Sequence, residues 1–167
     1  MAKSDLNSIL SSLFQGLVGK VCWAVIGGPG TGTSVLLYFG KKNKKFIMQD
    51  EVRETAKAIS FDPEMWIHID EASWKIQKDK KIFFACDDFG LPNNNFNLAS
   101  SSLIGHPVQS VFFDLIDASF VLKINELNFI VSSVCFGSSD SENYTFGCEG
   151  GVFTVDGRKE IVEDVAK

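Results

Sequence analysis

A chain of 167 residues, 45% of them hydrophobic, can bury one substantial core but not two, so 1–167 is expected to be a single domain. Sixteen basic against 21 acidic residues leave a formal charge of −5, which repels phosphate backbones, argues against direct nucleic-acid binding and favours a basic partner. No stretch reaches the roughly 20 apolar residues that span a bilayer and none reads as a secretory leader, so the expectation is a cytoplasmic protein with no membrane segment.

In chain order, Ser4 precedes Leu6, Ile9, Leu10, Leu13, Phe14 and Leu17, which share one helical face and end at Gly16 and Gly19. This amphipathic N-terminal helix should lie across the face or an open end of a sheet. The segments Val21–Ile26 and Ser34–Phe39 then read as a first hairpin. Between them, Gly27 to Gly32 have the G-x-x-x-x-G spacing of a phosphate-binding loop, and Ile82–Cys86 followed by Asp87 and Asp88 resembles the acidic strand that holds magnesium in such enzymes. However, Thr33 stands where the loop's lysine belongs, and Ser34–Phe39 is rich in strand formers where a helix N-terminus should cradle the anion. Gly27–Thr33 is therefore read as a glycine-rich hairpin turn, and a nucleotide-binding enzyme using Gly27–Ser34 is the alternative.

The lysines Lys41, Lys42, Lys44 and Lys45 read as a solvated turn, and residues 49–60, with Val52, Ala56 and Ile59, as a short surface helix. Met65–Ile69, Ser73–Ile76 and Lys81–Cys86 alternate as strands. Leu91–Asn97 is rich in turn residues and should link two halves without regular structure. Ser110–Leu115, Ala118–Ile124, Leu127–Phe136 and Tyr144–Val155 supply the remaining strands. The leader Leu17-Val18-Gly19-Lys20-Val21 is echoed by Leu103-Ile104-Gly105-His106-Pro107-Val108, its glycine 86 positions further on. Pseudo-repeats over about 17–90 and 103–156 would follow. Strands at such short intervals leave little room for crossover helices. The fold class is therefore mainly β with a minor α part: antiparallel sheets forming a sandwich or partly open barrel.

The sequence offers little for chemistry. His68 lies in an alternating strand and His106 in a Gly-His-Pro turn, and neither sits in a nucleophile motif. The pairs Asp87–Asp88, Asp70–Glu71 and Asp114 with Asp117 lack calcium-loop spacing. Cys22, Cys86, Cys135 and Cys148 are scattered without C-x-x-C spacing, so reduced, buried thiols are expected rather than a zinc site. No catalytic, cofactor or metal site is expected. The candidates for partner binding are Asp62, Glu64, Asp70, Glu71, Asp87 and Asp88, joined by Asp79, placed around the ends of the middle strands. Phe89, Trp66 and Trp74 would be aromatic anchors wherever they are exposed.

The L-x-G leader at Leu17 and Gly19, the hairpin Leu36–Gly40, the strand Ser73–Ile76 and the run Leu103–Leu122 together resemble small bacterial proteins of the immunity type, from contact-dependent and other polymorphic toxin systems. The likeness extends from Leu17 to about Phe136 and rests on hairpins and turns, so it carries over no binding residue. It implies a cytoplasmic antidote that is not an enzyme and that occludes the active site of a cognate toxin domain, usually a nuclease and so basic. The second alternative is a structural or adaptor domain without inhibitory activity.

Overall fold

Burial alternates residue by residue along most strands, and this alternation sorts the chain into two facing layers. The computed structural model describes residues 3–28, 30–46, 59–91, 95–134, 141–149 and 151–164. Helix α1 (Lys3–Gln15) leads into strands β1 (Cys22–Gly27), β2 (Val35–Phe46), β3 (Ile59–Ile69), β4 (Ser73–Lys78) and β5 (Lys81–Ala85). A 3₁₀ turn (Cys86–Gly90) and a short helix α2 (Phe96–Ser101) follow, then β6 (Val108–Asp114), β7 (Ser119–Ile124), β8 (Leu127–Ser132), β9 (Glu142–Cys148), β10 (Gly151–Asp156) and β11 (Ile161–Asp164). Sheet I is six-stranded, in the order β1-β2-β3-β9-β10-β11, and sheet II is five-stranded, in the order β5-β4-β8-β7-β6. All the paired strands are antiparallel. Among the described residues neither sheet closes into a barrel, so the fold is a mainly β sandwich with an N-terminal helix.

The core lies between the sheets. Leu37, Phe39, Ile67, Ile69, Tyr144 and Phe146 of sheet I are buried, as are Trp74, Ile76, Phe120, Leu122, Phe129 and Val131 of sheet II. Trp74 stacks on Phe129 with centroids 5.5 Å apart, and its indole nitrogen donates to the carbonyl of Thr33. The bulky ring is therefore buried without stranding its polar atom. Helix α1 covers the lateral opening beside β6 and β11. Its buried Leu10 and Phe14 face inward, and Phe14 stacks on Phe113 at 4.8 Å. Helix α2 covers the opposite opening, beside β5, where Phe96 meets Phe84 and Phe89.

The two halves follow one plan. A helix and an L-x-G leader precede a three-strand meander in one sheet (β1-β2-β3 or β6-β7-β8), and the chain then crosses to the other sheet to form β4-β5 or β9-β10. The leaders clasp each other symmetrically. Gly19 N–H donates to Val108 O and Gly105 N–H to Cys22 O, while Cys22 N–H reaches His106 O and Val108 N–H reaches Lys20 O. Gly19 and Gly105 have φ of +85° and +86°, a left-handed conformation that glycine adopts without steric cost, so both leaders make the same reversal.

Several sequence expectations need correction. Strand β2 runs on to Phe46, so Lys41 and Lys42 stand on a strand, not in a turn. Of the helix expected over 49–60, residues 49–58 lie outside the described residues, and Ile59 and Ser60 open β3. Phe96 and Asn97, assigned to an irregular linker, begin α2, because burial of Phe96 against Trp74 and Phe84 outweighs the asparagine-rich local sequence. The segment Tyr144–Val155 is two strands, β9 and β10, and β11 was not foreseen. Residues 135 and 136, the expected end of the strand Leu127–Phe136, lie outside the described residues, and β8 ends at Ser132.

Candidate protein-binding face

Strands β2 and β3 turn Val35, Leu37, Phe39, Met65, Ile67 and Ile69 into the core, so the residues between them project from the outer surface of sheet I. Tyr38 stands opposite Trp66 and Leu36 opposite His68. These four, with Asp62 and Pro63, line an open groove of about 360 Å³. The groove surface continues onto the edge strand, where Ile26 is 52% exposed opposite Leu36, and the indole of Trp23 lies 5.0 Å from the Tyr38 ring. Lys42 places its ammonium 4.9 Å from the centre of the Trp23 ring, a cation–π contact that orders this margin.

Gly147 sets the attitude of the central aromatic. It pairs with Trp66 across β3 and β9, and a Cβ built on it would overlap the indole. The absent side chain lets the Trp66 ring lie flat across the neighbouring strand, fixed yet half-exposed. The Trp23 indole N–H is buried and finds no acceptor among the described residues. Such an unpaired donor costs about 1–3 kcal/mol.

The carboxylates expected to form one acidic surface divide into separate groups. Asp62 and Glu64 lie within β3 rather than at a strand end. Asp62 lines the groove, whereas Glu64 pairs with Lys20 and accepts from the Lys41 N–H. The hydrogen bond from Lys20, and then that from the Lys41 backbone, hold the Glu64 carboxyl below its usual range. Asp70 and Glu71 lie about eight residues along the strand from Asp62, roughly 26 Å away, at the β3–β4 corner. Asp87 and Asp88 reach this corner through the 3₁₀ turn, where Cys86 Sγ lies 3.9 Å from Ser73 Oγ. Asp70 accepts the Ser34 hydroxyl at 2.6 Å and Asp88 accepts the Ala85 N–H at 2.8 Å, so both serve loop architecture. Glu71 and Asp87 remain exposed, and Asp79 is exposed in the β4–β5 turn. Phe89 and Trp74 are in the core at 7% and 1% exposure, so neither offers a partner an anchor. Of the proposed aromatics, only Trp66 reaches the surface.

The glycine-rich segment connects β1 and β2, and the chain after it runs extended from Val35. Thr31 Oγ1 donates to the Gly28 carbonyl and Thr33 Oγ1 to the Asp70 carbonyl, so the loop is tied to the β3–β4 corner. No helix N-terminus follows to receive a phosphate. Among the described residues, no three His, Cys, Asp or Glu side chains gather as a metal site would require. No helix there is long and apolar enough to cross a membrane. Cys22 and Cys86 are buried free thiols and Cys148 is half-buried. Burial pushes the Cys22 thiol up to about 12, leaving it protonated and unreactive.

Tyr38 and Leu36 escaped sequence reading because Val35–Phe39 is apolar throughout, which hides which alternate set faces outward. No family model matches the chain, and neither does any curated protein or solved structure.

Proposed function

We propose that this protein is a cytoplasmic immunity protein, acting by binding alone, and that the outer face of sheet I seats a cognate toxin domain and occludes its active site. The observation that carries this reading is the outward pair Tyr38 and Trp66, half-exposed yet fixed on central strands and continued by Ile26 and Leu36. A rigid aromatic surface at a shallow groove has the features of an interface hot spot, where ordering costs little entropy. A net charge of −5 favours encounter with a basic domain such as a nuclease.

This reading expects a toxin gene beside this one, and the test is co-expression with its product. Cells carrying both should grow, and cells carrying the toxin alone should not. Death of cells that make both proteins in soluble form would end the reading.

A further inference from the structure

The outermost strand of a sheet carries a row of backbone N–H and C=O groups with no neighbouring strand, and proteins either close such a row or leave it for a partner. The first strands of the two meanders, β1 and β6, are matched edges of this kind. Each carries one bulge near its start, between Cys22 and Ala24 in β1 and between Val108 and Ser110 in β6. Cys22 and Val108 turn both of their backbone groups outward, where the opposite leader binds them. Past the bulge, the alternation of an antiparallel ladder turns Val25 and Gly27 outward in β1, and Val111 and Phe113 in β6.

The two edges are finished differently. Beside β6, Gln15 at the end of α1 donates its side-chain amide to the outward carbonyl of Val111 at 3.3 Å, which stops the row. Gln15 stands four residues before Gly19, and the residue four before Gly105 is Ser101. Ser101 ends α2 and is exposed, and its hydroxyl sits on a single carbon, too short for the reach that Gln15 makes. Among the described residues, no group outside the β1–β2 ladder bonds to the backbone of Val25 or Gly27. The segment beside this edge runs from Phe96, whose ring lies against Gly27, to Gly105, which bonds Cys22. On it Leu98 and Ile104 are 59% and 39% exposed, while Ile26 is exposed on the outer face of the strand itself. The open backbone row therefore lies between apolar side chains.

Such a row is matched by another extended backbone, and the flanking apolar positions select alternate side chains of the incoming strand. Trp23 and Ile26, on this same strand, continue the face assigned above to the toxin, so a partner seated there meets the edge in the same approach. We propose that the β1 edge takes an extended, apolar segment of the toxin domain as an added strand of sheet I. This assignment rests on the immunity reading and names the part of the partner that the face receives.

Amide hydrogen exchange of the full chain, alone and with the toxin domain that the immunity reading expects to be encoded beside this gene, is the test. The Val25 and Gly27 N–H groups should exchange readily in the free chain and at least tenfold more slowly in the complex. Val25→Pro deletes an outward N–H without touching the β1–β2 ladder, and Ser101→Gln gives α2 the amide that stops the β6 row. Each should weaken toxin binding at least tenfold at unchanged far-UV circular dichroism. Ser101 is exposed on a helix, so the second variant keeps the test in force if the proline unfolds β1. A complex in which both amides exchange as in the free chain, or folded variants that bind like the parent, would overturn the inference while the immunity reading stands. Absence of any complex would end both. Protection of Val25 that rises with the concentration of the chain alone would put a second copy on the edge and overturn the assignment to the toxin.

Discussion

Gly147 and Trp66 meet across adjacent strands, and the missing side chain of one is the seat of the other. Gly147→Ala must therefore lift or turn the indole. The expected result is a shifted tryptophan emission and a loss of about 1–3 kcal/mol in stability, measured by denaturant titration. Asp156 is a different kind of residue, almost wholly buried, whose carboxylate closes the β10–β11 turn. It accepts the N–H groups of Arg158 and Glu160 and the Arg158 guanidinium. Burial alone would raise its carboxyl, but the bonds from Glu160 and Arg158 together hold it below the ordinary value. A depressed carboxyl contributes stability above its unfolded value of about 3.9 and loses it as pH falls through the folded value. Asp156→Asn should therefore lower the melting temperature at pH 7, and the gap to the parent chain should narrow as the pH falls below about 4. An unchanged gap down to pH 2 would refute the linkage.

The helices and hairpins show what the amino-acid pattern revealed and where it was silent. Helix α1 was legible because Leu10, Phe14 and Leu17 recur on one face, and all three are fully buried. Phe14 contacts Phe113, Phe120, Tyr144 and Phe146 at once. Phe14→Ala should therefore cost about 3–5 kcal/mol, visible in thermal unfolding, and a loss under 1 kcal/mol would mean that α1 does not plug the sandwich. The first hairpin was legible because glycine and β-branched residues mark the turn and the strand after it. Helix α2 was hidden because its formation depends on Phe96 reaching Trp74 and Phe84 across the core, a non-local contact that local propensity cannot register. The candidate site was half visible. Alternation along Met65–Ile69 puts His68 on the polar side of its strand, whereas Trp66 was a candidate anchor only if exposed, and its exposure is known from the structure. The separation of Glu64 and Asp70 from any partner surface depends on Lys20 and Ser34, 44 and 36 residues away in sequence.

The whole molecule is interlaced. The hairpin β4-β5 of the first half extends the sheet of β6-β7-β8, and β9-β10 of the second half extends that of β1-β2-β3. Helix α1 lies against second-half strands and α2 against β5. Internal duplication is our proposal for the origin of this plan. Its physical consequence is that neither half can complete a sheet alone. Fragments divided between Leu91 and Asn95 should be unfolded separately by circular dichroism and should recover the sandwich when mixed. Independent folding of either fragment would contradict this topology. The sandwich in turn holds the Tyr38 and Trp66 rings on strands flanked on both sides, so the proposed binding face is ordered before any partner arrives. The most direct test is calorimetric titration of the toxin domain that the immunity reading expects to be encoded beside this gene, with the parent chain and with Trp66→Ala, whose folding is checked by circular dichroism. The account predicts saturable binding by the parent and binding weakened by about 100-fold, roughly 2.7 kcal/mol, in the variant. Absence of binding by the parent, or equal affinity of the two chains, would contradict it.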